Sequence, residues 1–163
     1  MYKMDSLIIF CAKYLFLLIP LLALGAWLQA SKKAKKQMLL AAFIAVIAAV
    51  ILDKIAGKLY YDPRPFVSHH LKPLVAHAAD NGFPSEHTLF SATLAVLLYI
   101  YRPRLGIAAL AIALAVGVAR VAAHVHSPID IIGGAVIGIA AGLGGYAVAK
   151  RFLLTKADPE PAG

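Results

Sequence analysis

Three polar segments of this 163-residue chain, separated by apolar runs, hold residue types suited to phosphate chemistry. In the first segment, Arg64 stands between two prolines, which stiffen the backbone and fix the direction of a guanidinium that can bind phosphate through two parallel hydrogen bonds. Lys58 precedes it and would add a point charge. Cations are common at membrane interfaces, so this segment indicates a site only together with the other two.

The second segment is Phe83-Pro84-Ser85-Glu86-His87-Thr88. Pro84 cannot continue a helix and Ser85 is a favoured N-cap, so we predict that a helix begins at Glu86. The unpaired N–H groups and the positive dipole end of a helix start attract anions. His87 would lie beside them, placed to transfer a proton. The hexapeptide alone also fits an ordinary capped helix with a chance histidine.

The third segment runs from Arg120 to Asp130. Ser127 is predicted as an N-cap with Pro128 as the first helical residue, which puts Asp130 in the first helical turn. Asp130 then has two interpretations: it stabilises the helix start, or it holds the ring of His126 and leaves the other ring nitrogen free as a nucleophile. Arg120 lies in an apolar run, where an ionisable residue is costly and indicates function.

Together the segments supply two or three fixed cations, a helix N-terminus, a serine and two separated histidines. Phosphoryl transfer needs such a set: cations and N–H groups stabilise the phosphoryl oxygens, one histidine attacks, and the other protonates the leaving oxygen. The sequence has no cluster of Cys, His or carboxylates with metal-ligand spacing, so we expect no metal or other cofactor. The remaining histidines are interpreted as loop or interface residues: His69, His70, His77 and His124.

The elements that position these segments are apolar enough to lie in a membrane. The chain is 61% hydrophobic and 15% charged, with a mean hydropathy of +0.79, whereas soluble domains are about 45–50% apolar. The net charge of +8 is spread over the ends of the apolar runs. That pattern indicates membrane topology and anionic lipid headgroups rather than nucleic acid.

The apolar runs predict an all-α integral membrane bundle of about five transmembrane helices, at residues 7–28, 38–58, 87–101, 105–125 and 129–149. Residues 1–156 form one transmembrane domain in this interpretation, and residues 157–163 a disordered tail. Nine of the sixteen Lys and Arg residues fall on one side: Lys32, Lys33, Lys35, Lys36, Arg102, Arg104, Lys150, Arg151 and Lys156. The positive-inside rule makes that side cytoplasmic, so we expect a cytoplasmic C-terminus, with the N-terminus and the candidate site outside.

Glycines repeat along the last apolar run as Gly134-x-x-x-Gly138-x-x-x-Gly142. Small residues at this spacing form a face on which another helix packs closely. The pattern predicts either packing inside the bundle or a homodimer through this helix.

In order and spacing, the segments resemble the three signature motifs of the type 2 phosphatidic acid phosphatase superfamily, a family of membrane lipid phosphatases. The matching residues are Arg64-Pro65, then Pro84-Ser85 with His87, then Arg120-x5-His126-x3-Asp130, within roughly residues 54–135. The resemblance implies that His126 is the nucleophile that becomes a phosphohistidine, oriented by Asp130, with His87 as the general acid. It implies that the phosphate is held by Arg64, Arg120, Ser85 and the backbone at Glu86.

Three positions depart from the family pattern. Gly57 stands where the family has a lysine, with Lys58 one residue later, and Ala119 stands where it has a serine. Glu86 replaces the usual glycine. An acid there, preceded by Asn-Gly-Phe-Pro, resembles the bacterial undecaprenyl-diphosphatase branch. This implies removal of the terminal phosphate of undecaprenyl diphosphate on the outer face of the bacterial inner membrane, which recycles the carrier lipid of peptidoglycan synthesis.

Alternatives of other kinds stay open on the sequence. Another lipid phosphate, such as phosphatidylglycerophosphate or lipid A 1-phosphate, would suit the same chemistry. A small transporter or channel subunit would use Arg120, Lys13 and Asp53 along an ion path. A lipid-binding protein without catalysis would keep the cations only. The clustering of polar residues at one end of the runs favours the enzyme.

Overall fold

The computed structural model describes residues 3–155, and this part of the chain is built of helices. The helices are α1 (Lys3–Lys13), α2 (Leu18–Leu28), α3 (Lys32–Leu59), α4 (Pro65–Ser68), α5 (Glu86–Tyr101), α6 (Pro103–Ala122) and α7 (Pro128–Thr155), with a 3₁₀ turn at Leu15–Leu17. The predicted all-helical architecture is confirmed. The predicted tail, 157–163, lies outside the described residues.

Three of the described helices are long and apolar enough to cross a membrane: α3, α6 and α7. The α1–α2 pair passes the same test only as one broken span, bent by 42°. With 16 residues, α5 is about 24 Å long at 1.5 Å per residue, shorter than a hydrocarbon core of about 30 Å. The described residues therefore contain three or four candidate spans where the sequence predicted five, and the orientation of the termini stays a prediction.

The first predicted span, 7–28, is one apolar run but two helices. Lys13 ends α1, the 3₁₀ turn follows, and α2 begins at Leu18. Pro20 explains the break, because a proline has no N–H to donate and its ring clashes with the carbonyl four residues earlier in a continuous helix. Restarting at Leu18 leaves Pro20 in a first turn, where that N–H has no helical partner in any case. The bend brings the carbonyl of Ala12 within 3.5 Å of Arg120 Nη1.

The glycine face of α7 packs inside the bundle. A Cβ at Gly134, Gly138 or Gly142 would lie 2.7, 2.3 or 2.9 Å from a backbone carbonyl oxygen of α5 or of its N-cap residue, and one at Gly145 would lie 2.6 Å from a side chain of α3. Since Cβ atoms cannot approach a carbonyl so closely, only glycine allows this contact between α7 and α5. The first of the two predicted uses of the face, packing inside the bundle, is confirmed, and a homodimer through this helix stays a prediction.

The connection between α3 and α5 is pinned by one amide side chain. Asn81 Nδ2 donates to the carbonyls of Gly57 and Tyr60, both at 2.9 Å, while Asn81 Oδ1 accepts from the N–H groups of Asp62, at 2.9 Å, and Phe83, at 3.0 Å. All four polar contacts of the amide thus join the end of α3 to both ends of the loop. This side chain fixes where the first two polar segments enter the site.

Candidate active site

His126 lies in the turn between α6 and α7, is 3% exposed, and is held from both sides of its ring. Its Nδ1 is 3.2 Å from Asp130 Oδ2, and its Nε2 is 3.2 Å from Arg120 Nη2 and 3.4 Å from Arg64 Nη1. A guanidinium only donates hydrogen bonds, so Nε2 must accept. The proton of the neutral ring is therefore on Nδ1, which donates to Asp130, and the lone pair of Nε2 faces two guanidinium groups.

Asp130 fulfils both of the roles that the sequence left open. Besides His126, its Oδ2 accepts from the backbone N–H of Ser127 at 2.8 Å, and Ser127 Oγ accepts from the N–H of Asp130 at 3.4 Å. This reciprocal pair caps the start of α7, as predicted for an acid in the first turn. Asp130 is fully buried, so one carboxylate both caps the helix and orients the histidine ring.

Arg64 is 5% exposed and its guanidinium is fixed by protein acceptors on three sides. Its Nε donates to Asp80 Oδ1 at 2.7 Å, Nη1 to the carbonyl of Val125 at 2.9 Å, and Nη2 to the carbonyl of Asn81 at 3.2 Å. The hydrogen bond from Arg64 lowers the pKa of Asp80 below its ordinary value. The two prolines that flank Arg64 thus deliver a guanidinium that is already oriented when a ligand arrives.

Arg120 is 2% exposed, in the last turn of α6. Its Nη2 reaches His126 and its Nη1 the carbonyl of Ala12, while its Nε is buried without an acceptor among the described residues. The two buried guanidiniums that meet at this histidine nitrogen repel each other, and Arg120 has no carboxylate partner among the described residues. A phosphate dianion supplies both the charge and the acceptor oxygens.

The second polar segment forms the start of α5 at Glu86, as predicted. Ser85 is the N-cap residue, as predicted, but its side chain makes no capping hydrogen bond. Its Oγ instead accepts from Thr88 Oγ1 at 3.2 Å, and its N–H donates to the carbonyl of Asp130 at 3.1 Å. The second of these bonds joins the N-cap of α5 directly to the first turn of α7, which carries Asp130.

A cavity of about 360 Å³ opens beside His126. Of the predicted site residues it is lined by Lys58, Arg64, Glu86, His87 and His126. The other three, Ser85, Arg120 and Asp130, are buried behind this wall. The ring of His87 rests edge-on against Phe16, with ring centroids 4.9 Å apart. The structure therefore gathers all eight predicted residues into one region, although they come from positions 58 to 130.

Five polar or charged residues that the sequence analysis did not assign to the site also line the cavity: Asp53, Lys54, His77, Asp80 and Asn81. His77 lies edge-on to His126 with ring centroids 6.0 Å apart. Burial, followed by the charges of Arg64 and Arg120, lowers the pKa of His77 to about 4. Nothing in the sequence separates His77 from the other loop histidines. Asp80 and Asn81 could have been assigned from the sequence, because they form a polar pair just before the second segment.

The pKa of His126 is also lowered, chiefly because burial penalises the charged ring. The hydrogen bond to Asp130 opposes this shift, while the charges of Arg120 and Arg64 add to it. A neutral His126 agrees with the tautomer that its partners impose. The arrangement can therefore present a nucleophilic nitrogen to an anion that two guanidiniums hold.

Comparison with known proteins covers the whole site. The sequence profile of the PAP2 superfamily matches residues 37–153. The chain is 30% identical over 139 residues to undecaprenyl-diphosphatase BcrC of Bacillus subtilis, which is 85% of this chain and 72% of that protein. It is 32% identical over 141 residues to the bacitracin transport permease protein BcrC of Bacillus licheniformis, 86% of this chain and 69% of that one. The structure of Aquifex aeolicus LpxE matches with a TM-score of 0.67 and 23% identity over 90% of this chain and 88% of that one, which establishes a shared fold.

Proposed function

Because the chain belongs to the PAP2 superfamily, a family of membrane lipid phosphatases, we propose that it removes the terminal phosphate of undecaprenyl diphosphate through a phosphohistidine at His126. The observation that carries this proposal is the geometry of His126, whose proton is fixed on Nδ1 by Asp130 and whose Nε2 faces Arg64 and Arg120. The substrate follows the relative named undecaprenyl-diphosphatase.

In the proposed reaction, the terminal phosphoryl group lies between Arg64 and Arg120. His126 Nε2 attacks phosphorus, the bond from phosphorus to the bridging oxygen breaks, and undecaprenyl phosphate leaves with the electron pair. His87, which lines the same cavity, protonates the leaving oxygen. His87 then takes a proton from water, whose oxygen attacks the phosphohistidine, so that inorganic phosphate leaves and His126 returns to its neutral form.

The fixed cations give this mechanism its rate. Donors that are already oriented when charge develops stabilise a transition state without reorganisation, and the loss of one such donor costs about 10²–10³ in kcat. Arg64 and Arg120 are both buried and held by backbone carbonyls. Neither has to be ordered when the substrate binds.

The distribution of charge supports an active site on the outer face of a bacterial membrane. The site lies where α3 ends and where α5 and α7 begin. The basic residues of 32–36, 102–104 and 150–151 lie at the opposite helix ends. By the positive-inside rule those ends face the cytoplasm, so the cavity would open to the outside, where a lipid diphosphate headgroup reaches it from the membrane surface.

The decisive experiment measures phosphate release from undecaprenyl diphosphate in detergent with EDTA present, by the wild type and by His126→Ala. We expect robust release by the wild type and a loss of at least about 10³-fold in the variant, because the nucleophile is gone. His69→Ala, which removes an exposed loop histidine, is the matched control and should release phosphate at the wild-type rate.

Each other outcome points to one alternative. Release from phosphatidylglycerophosphate or lipid A 1-phosphate only would keep the mechanism and overturn the substrate. Equal release by His126→Ala would refute the phosphohistidine. A wild type that binds lipid diphosphates but releases no phosphate would leave a lipid-binding or transport protein, the class in the name of the Bacillus licheniformis relative.

A further inference from the structure

A cluster of three charged side chains lies at the cavity wall, apart from the groups that the mechanism uses. Lys54 Nζ is 3.1 Å from Asp53 Oδ2 and 3.7 Å from Glu86 Oε1. The side chains of Lys54 and Glu86 are 68% and 61% exposed, whereas that of Asp53 is 9% exposed. The ammonium is therefore anchored by a buried carboxylate on one side and met by an exposed carboxylate on the other.

The backbone leaves little room for a side chain at Gly57, one turn after Lys54. A Cβ at Gly57 would lie 3.2 Å from the carbonyl oxygen of Phe83 and 3.7 Å from Asn81 Nδ2. The Cβ of a lysine at this position would contact the loop that Asn81 holds in place. Residues three apart on a helix share a face, so Lys54 projects from the same side of α3 one turn earlier, where it lines the cavity.

We propose that Lys54, positioned by Asp53 and Glu86, binds the second phosphate of a diphosphate headgroup and makes the site favour diphosphates over monophosphates. This inference rests on the proposed function and names its specificity. The terminal phosphoryl group sits against His126, and the leaving phosphate extends along the same cavity wall toward Lys54. Negative charge grows on that phosphate as the bridging bond breaks, so the ammonium stabilises the transition state more than the bound substrate.

Glu86 is the partner that a phosphate oxygen replaces at Lys54. Its contact with the ammonium is longer than that of Asp53, and its side chain is the more exposed of the two carboxylates. Asp53 stays in place and keeps the ammonium at the wall. A monophosphate held at His126 has no second phosphate to displace Glu86, so it draws no binding energy from Lys54. In this way Glu86, an acid beside the phosphate site, contributes to the preference for diphosphates over monophosphates.

The test compares farnesyl diphosphate with farnesyl monophosphate, because both have the same hydrocarbon tail. We expect Lys54→Gln to lower kcat/KM for the diphosphate by about ten- to a hundredfold, the scale of one charge-assisted hydrogen bond, and that for the monophosphate by less than about threefold. Lys54→Arg should restore most of the preference. Lys58→Gln removes the cavity lysine one turn later and serves as the comparison. The proposal would be overturned if Lys58→Gln, and not Lys54→Gln, selectively lowered kcat/KM for the diphosphate.

A binding measurement separates this inference from the proposed function. Pyrophosphate and inorganic phosphate are titrated against the solubilised protein and the thermal midpoint is followed. We expect pyrophosphate to stabilise the wild type at lower concentration than phosphate, and Lys54→Gln to remove the difference. An unchanged difference in Lys54→Gln refutes the role of Lys54 even if the protein is an active phosphatase. A difference that disappears supports it even if no lipid tested is hydrolysed.

Discussion

His126 shows how much of a site can depend on one ring and its three partners. Asp130 fixes the proton on Nδ1, and the guanidiniums of Arg64 and Arg120 turn toward Nε2. Each partner also has contacts of its own. Asp130 accepts from the backbone N–H of Ser127 at the start of α7, Arg64 donates to three acceptors, and Arg120 donates to the carbonyl of Ala12 in α1. The ring is thus oriented before any ligand is present.

The titration of His126 is predictable from this environment. Burial and the two guanidiniums lower its pKa, against the opposing effect of Asp130. A lowered pKa means that the ring stays neutral to a lower pH, so we expect a transition below the ordinary histidine value of about 6.5 and a nucleophile that remains available in mild acid. Nitrogen-15 NMR of histidine-labelled protein measures it, with the His126 signal identified by its loss in His126→Ala. A transition above the ordinary value, or a proton on Nε2, would contradict the geometry.

Among the elements, the contact of α5 with α7 decides whether the site exists. The first carries Ser85, Glu86 and His87, the second carries Asp130, and the glycine face lets the two helix axes approach closely. The N–H of Ser85 donates to the carbonyl of Asp130 at the end of this contact. Packing far from the chemistry therefore sets the relation between the two helix N-termini.

Gly138→Ala should destabilise the protein by about 1–3 kcal/mol, the usual cost of overpacking, because its Cβ would lie 2.3 Å from the carbonyl of Leu89. Gly144→Ala is the matched control on the same helix, since a Cβ there meets nothing within 4 Å. We expect the control to be neutral or slightly stabilising, as alanine favours helix over glycine. Thermal unfolding in detergent measures both, and equal midpoints for the two variants would show that the contact is looser than described.

At the scale of the whole molecule, the candidate active site and the basic residues that predict membrane orientation lie at opposite ends of the helices. The cavity and its cations lie at one end of the helices, and the basic residues from which the orientation is predicted lie at the other. Lys72 lies in the connection between α3 and α5, on the cavity side, and Lys33 at the start of α3, on the basic side. Both are exposed, and they report the two sides of the bundle.

Single cysteines at Lys72 and Lys33, each in a Cys11→Ser background, test the orientation in intact cells. We expect an impermeant maleimide to label Lys72→Cys from outside, and Lys33→Cys only after the membrane is permeabilised, because the positive-inside rule predicts that the basic side faces the cytoplasm. Labelling of Lys33→Cys alone in intact cells would invert the bundle and place the cavity inside.

The sequence by itself determined the helical membrane class, the start of α5 at Glu86, the start of α7 at Pro128, and the motif residues that come together in the site. These features are local: apolar runs, capping residues and prolines act within a few positions, and an arginine in an apolar run is conspicuous wherever it lies. The break before α2 was also within reach, since Pro20 is visible in the sequence.

Only the tertiary structure decided the rest. It places His77 against His126 and pairs Lys54 of α3 with Glu86 of α5. It also makes Asn81 the side chain that fixes the loop, and it turns the glycines of α7 toward α5. Apart from the bond between Asn81 and Phe83, these contacts join residues 19 to 49 positions apart. Their geometry follows from how the helices pack, and no local pattern of residue types encodes which of several equivalent histidines or lysines that packing will bring to the cavity.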